Sequence, residues 1–172
     1  MKKYKLIKEI FTLSNRKCDR TLYRIEALRD FGNVKAGDKG GFIESESNLS
    51  HEGDCWIYDD AQVFGLAKVS GHALVFGEAL VRDNARVYGY AEVSGHAGVN
   101  GEAQVCGHAR VWDKATITGS AKITGYARVC GAARVSGRSL VDGNAIICGS
   151  ANICGSSCIV EGEFTDGEFK NY

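Results

Sequence analysis

The 172-residue sequence has no proline, one methionine and two tryptophans, and its other shortages exclude whole classes of protein. No apolar run approaches the ~18 residues that a membrane-spanning helix needs. No signal-peptide pattern follows Met1, so a soluble, cytoplasmic protein without a membrane partner is expected. Basic and acidic side chains balance at 21 each. A neutral chain is a poor match for double-stranded nucleic acid. The seven cysteines, Cys18, Cys55, Cys106, Cys130, Cys148, Cys154 and Cys158, lack the paired spacing of zinc ribbons or disulfide frameworks. Their odd number fits free thiols in a reducing compartment. Length and composition agree with one domain.

What the chain does have is a repeat. From Ile57 to Ile159 a Val or Ile stands at every sixth position, with Ala or Ser four places after each as far as Ser157. The unit reads A-x-V-x-G-x, as in Ala67-Lys-Val-Ser-Gly-His72 and Ala91-Glu-Val-Ser-Gly-His96. Six is a multiple of two, so Ala and Val share one side of a short strand and their neighbours face the other way. A helix would carry a six-residue step around its cylinder instead. Glycine, replaced by Asp83 and Asp113 in two units, marks corners where φ is positive. Three units close a triangular coil of 18 residues, and coils stack at the roughly 4.8 Å spacing of paired strands.

This pattern resembles the hexapeptide-repeat family over about 105 of the 172 residues. The resemblance implies an all-β, left-handed parallel β-helix, here of about six coils over residues 51–162. It also implies parallel homotrimers with ligands bound in grooves between neighbouring prisms. Residues 1–50 do not follow the hexad and are read as a cap containing a hairpin or two, with an irregular lead-in from Glu44 to Asp54. An open β-helix end exposes strand edges and apolar interior, so a cap is required. Residues 163–172, with Phe164, Phe169 and Tyr172, are expected to close the other end. The segment Leu22 to Ser50 is similar to leaders of small hexapeptide proteins carried by phages and prophages, and that resemblance implies a phage context.

Stacking by 18 residues turns the sequence into a map. One face presents Leu74, Glu92, Arg110 and Arg128, with Phe76, Ser94, Trp112 and Cys130 beside them; the next presents Lys68, Arg86, Gln104 and Lys122. His72, Tyr90, His108 and Tyr126 run down the corner between. The candidate ligand-binding set is therefore Arg86, Tyr90, His108, Arg110, Trp112, Lys122, Tyr126 and Arg128. Arg110 and Arg128, about one strand spacing apart, match a phosphate held by forked donors. The aromatic rings offer stacking for a base and His108 a hydrogen bond. The same residue types are also favoured in protein interfaces. Phe64, Leu66, Leu74, Phe76 and Leu80 point outward on the early coils and are the candidate oligomer interface.

Three functions follow. The first is a non-enzymatic trimer that captures a small anionic ligand, a nucleotide or cyclic nucleotide, in inter-subunit grooves; the phage resemblance implies sequestration of a host immune signal. The second is a protein-binding scaffold or inhibitor of a host protein. The third is an acyltransferase, whose family uses a groove histidine as general base; His72, His96 and His108 are the candidates, with His51 in the entry segment, but the unbroken register leaves no room for an inserted loop and a bare prism offers little in the way of a polarised partner or a water-excluding pocket. No catalytic residue, metal site or cofactor is assigned: His72 and His108 lie two coils apart and His96 occupies another corner, a poor geometry for a shared zinc ion.

Overall fold

A computed structural model describes residues 2–15 and 18–171. The chain folds as a left-handed parallel β-helix with three faces, built mostly from two-residue strands in which one residue faces outward and one is buried; at Trp56–Ile57 both are buried. The first face stacks Gln62, Leu80, Gly98, Thr116, Arg134 and Asn152. The second stacks Lys68, Arg86, Gln104, Lys122 and Leu140. The third stacks Trp56, Leu74, Glu92, Arg110, Arg128 and Ile146. Every repeated Val or Ile from Ile57 to Ile153, and each alanine beside it, is completely or almost completely buried. Burying one such aliphatic side chain stabilises by about 1.5–3 kcal/mol.

Backbone ladders join the coils. On the third face Leu74 N donates to Ala91 O at 2.9 Å and Phe76 N to Val93 O at 3.0 Å, and the same pattern recurs along the prism. The corners run through the left-handed region, and Asp59, Asp83 and Asp113 adopt φ of 54°, 63° and 59° in place of glycine. Each aspartate folds its carboxylate onto the next coil, accepting from Gly77 N at 2.9 Å, Gly101 N at 3.3 Å and Gly131 N at 3.1 Å respectively. Asp therefore tolerates the strained backbone because a local hydrogen bond compensates it. Close approach adds to the demand for glycine elsewhere: a Cβ on Gly89 lies 3.1 Å from Gly107 N.

About seven coils form instead of the six expected, because both ends keep stacking after the six-residue period breaks. At the start, Ile43 pairs with Val63 and Leu49 bridges to Val69, while Ile57 pairs with Val75. The step from Leu49 to Ile57 thus takes eight residues and hides the first coil from a hexad search. At the finish, Ile147 pairs with Phe164 and Ile153 with Phe169, so the steps after Ile159 shorten to five. Phe164 and Phe169 meet edge to face with centroids 4.6 Å apart beneath the last coil. Tyr172, assigned to this closure from sequence, lies outside the described residues.

The hairpin of β1 (Tyr4–Asn15) and β2 (Cys18–Ala27) adds antiparallel to β3 (Lys39–Ile43), extending the first face. Individual side chains fasten this cap. Lys3 is fully buried, and its ammonium donates to Cys55 O at 2.8 Å and Gly53 O at 3.2 Å. Tyr4 OH donates to Leu49 O at 2.8 Å, and Asn48 Nδ2 to Ala67 O at 2.9 Å. Arg24 lies 4.2 Å over the Phe42 ring and donates to Gly40 O at 2.8 Å and Asp60 Oδ1 at 2.9 Å. Among the described residues no helix is long and apolar enough to cross a membrane.

Candidate functional site

The corner between the second and third faces carries an aromatic ladder. Each ring belongs to the residue that follows a positive-φ glycine, so the turn projects it outward at the same angle in every coil. His72 and Tyr90 stack at 4.7 Å, Tyr90 and His108 at 5.0 Å, and His108 and Tyr126 at 4.9 Å, with interplanar angles of 4–6°. Alongside runs a groove of about 330 Å³, walled on one side by these rings and on the other by Leu74, Glu92, Arg110 and Arg128. Strand register alone sets that second wall. The groove grades from apolar at Leu74 to acidic at Glu92 to basic at the two arginines.

Five of the eight candidate ligand residues, Tyr90, His108, Arg110, Tyr126 and Arg128, meet in this groove. The other three do not line it. Trp112 lies one outward position beyond Arg110, toward the far corner of the third face. Arg86 lines a separate polar depression on the second face, and Lys122 lies two coils below Arg86 on that face.

Two details change what the groove can do. The ladder spacing leaves no gap for a base between rings, since a stacked aromatic needs its own van der Waals thickness on each side. Instead the rings line the groove as a stack whose tyrosines are more than half exposed, and Asn144 takes the rung after Tyr126. The second detail is Glu92, whose carboxylate lies 3.4 Å from Arg110 Nε. Arg110 is therefore partly neutralised, whereas Arg128 faces no carboxylate among the described residues. The 18-residue register placed Glu92 beside Arg110, and that pairing was the readable signal for a mixed rather than purely basic wall.

The histidines are better partnered than a bare prism implies. His72 Nδ1 lies 3.3 Å from Asp54 Oδ2, and His96 Nδ1 lies 3.4 Å from Glu78 Oε2. These contacts orient the rings. His108 has ring neighbours on both sides in place of a carboxylate. Among the described residues no cluster of three or more His, Cys, Asp or Glu can hold a metal ion. Cys130 and Cys148 stack in adjacent coils. Burial first, and then the neighbouring Cys148, pushes the Cys130 thiol up to about 11, so it is a poor nucleophile near neutrality. Cys55, Cys106, Cys130, Cys148, Cys154 and Cys158 are free thiols.

The five outward apolar residues do not form one patch. Phe64 and Leu80 belong to the first face, Leu74 and Phe76 to the third, and Leu66 to the corner between the first and second. Arg20 covers Phe64, with its guanidinium 5.7 Å from the ring centroid. Leu66 is 72% exposed.

The repeat and the stacked coils together place the architecture. The chain folds its six-residue repeats into a parallel β-helix. No family model matches the sequence. Over 86 residues it is 40% identical to a protein of Escherichia coli (strain K12) named "Uncharacterized acetyltransferase YdcK". That similarity covers 47% of this chain but 26% of the relative, so the chain spans about a quarter of the protein it matches.

Proposed function

We propose that this hexapeptide-repeat protein is a non-enzymatic binding protein that captures a small anionic ligand, a nucleotide or cyclic nucleotide, in the ladder groove. The observation that supports this reading most is the juxtaposition of Arg110 and Arg128 on adjacent coils with the rings of His108 and Tyr126. Arg128 supplies the open fork for a phosphate, and Arg110 joins it once the ligand competes with Glu92. The base lies against the ladder edge, where imidazole and phenol groups hydrogen-bond to its rim. A trimer would cover the groove with a neighbouring prism, excluding water from the ion pairs and strengthening them. Its biological role in this reading is sequestration.

Native mass spectrometry of the purified protein with a nucleotide panel tests the proposal. A trimer that retains one nucleotide per groove, and loses it in Arg128→Ala, is the expected result; Glu92→Gln should tighten binding by a few-fold because it releases Arg110. Absence of any retained nucleotide, or retention unchanged by Arg128→Ala, overturns it.

Acetyl transfer is a second reading, favoured by the similarity to the relative named as an acetyltransferase. His72, oriented by Asp54, is then the groove base. Turnover of an acetyl donor by the purified protein, abolished in His72→Ala, would establish that reading in place of the first.

A further inference from the structure

A second recess lies between the hairpin and the first face, away from the ladder groove. Its volume is about 500 Å³, within the range of small-molecule sites. Phe11 and Leu13 of β1 face Phe42 and Leu80 across it, and Phe11 and Phe42 rings lie 5.6 Å apart. Its rim along the corner between the third and first faces is acidic, formed by Asp60 and Glu78 on adjacent coils. No lysine or arginine lines the recess, and its one basic lining side chain is His96, whose Nδ1 lies 3.4 Å from Glu78 Oε2. Arg24 pairs with Asp60 through Nη2 at 2.9 Å while its Nη1 donates to Gly40 O and Asp59 O, so Asp60 is already committed to a fixed cation and Glu78 is the carboxylate open to a ligand.

Gln62 supplies a third feature. Its Oε1 is buried and accepts no hydrogen bond, although its side chain lines the recess. Buried acceptors are nearly always satisfied, and an unmade bond there is costly. Rotation of this half-buried side chain would carry Oε1 into the recess, where a ligand N–H could supply the bond. Below Leu80 the first face carries Gly98, where an added Cβ meets nothing within 4 Å, so the floor stays open along the prism.

We infer that this recess binds a small amine with an aromatic or branched aliphatic body. Glu78 takes the ammonium in place of its contact with His96, Asp60 shares its carboxylate between Arg24 and the ligand, and a third N–H is left for Gln62 Oε1. The apolar body lies on Phe11, Phe42 and Leu80. Charge selects against anions, so this site and the ladder groove prefer opposite ligands. The inference does not rest on the nucleotide reading.

Titration calorimetry of the full chain with phenethylammonium tests it, with 3-phenylpropionate as the anion of similar shape. Saturable binding of the amine is expected, with none for the carboxylate. Glu78→Gln should weaken the amine about tenfold by removing a charge-assisted contact. Leu80→Arg, which fills and charges the recess, should abolish binding, and Arg128→Ala in the other groove should leave it unchanged. No saturable heat at millimolar amine, equal binding of the carboxylate, equal affinity in Glu78→Gln, or a loss in Arg128→Ala each overturns the assignment. Should Leu80→Arg fail to fold, as circular dichroism would show, Glu78→Gln, at a largely exposed side chain, still decides.

Discussion

Between Ile57 and Ile159 the coils are held by interchangeable parts, whereas the cap is held by side chains that each occur once. A middle coil stacks valine on valine and alanine on alanine, and its cross-coil hydrogen bonds are almost all backbone to backbone. In the cap, Lys3, Tyr4, Arg24 and Asn48 reach 16 to 52 positions along the chain to satisfy particular carbonyls. The difference teaches where information is stored. A repeating coil needs only periodicity, because each neighbour offers the same surface. An end has no neighbour on one side, so it must satisfy its exposed groups individually.

The comparison can be broken most severely inside the prism. Val105→Asp places an unpaired carboxylate where the side chain is fully buried, and should cost more than about 4 kcal/mol. Urea denaturation followed by circular dichroism checks this; a loss under 1 kcal/mol would mean that the interior admits water.

Lys3→Ala comes next, at about 2–4 kcal/mol, since it removes buried volume and strands the carbonyls of Gly53 and Cys55. Its pH dependence sharpens the test. Burial holds the Lys3 ammonium below its ordinary value of 10.5, opposed mainly by Cys55. In the window between that lowered value and 10.5 the unfolded chain binds the proton that the folded chain has released. Stability contributed at this site therefore rises with pH through the window. Denaturation midpoints across alkaline pH should show that rise in the parent and not in Lys3→Ala.

The smallest effect belongs to the ladder. His108→Ala removes two ring contacts and should cost about 1–2 kcal/mol, and Tyr126→Ala, with one contact, about half as much. Equal losses in thermal unfolding would show that the rings are stacked by the turns without contributing to stability.

Much of the fold was legible because side-chain periodicity and strand periodicity are commensurate. The buried valines, the triangular coil, the 18-residue columns and Asp83 and Asp113 standing in for glycine all follow from the A-x-V-x-G-x unit, while Asp59 at the first corner is added by the structure. The site was half legible: register placed His72, Tyr90, His108 and Tyr126 in one column and Arg110 above Arg128. It did not reveal that the rings close onto one another, nor that Trp112, Arg86 and Lys122 stay outside the groove lining. Those outcomes depend on side-chain rotation and on distances of a few ångströms around a corner.

The extra coil is hidden from the six-residue period for a related reason. Steps of eight and five residues at the ends break the period while preserving the stack, and only pairing shows that Ile43, Leu49, Phe164 and Phe169 occupy rungs. By itself the sequence determined a β-helix and the columns on its faces, since a six-residue repeat of alternating polarity permits one backbone path. The tertiary structure alone decided that Glu92 tempers Arg110, that Asp54 and Glu78 orient histidines, and that Phe11 meets Leu80 across a recess. These contacts join residues with no shared periodicity, and close packing in three dimensions is what brings them together.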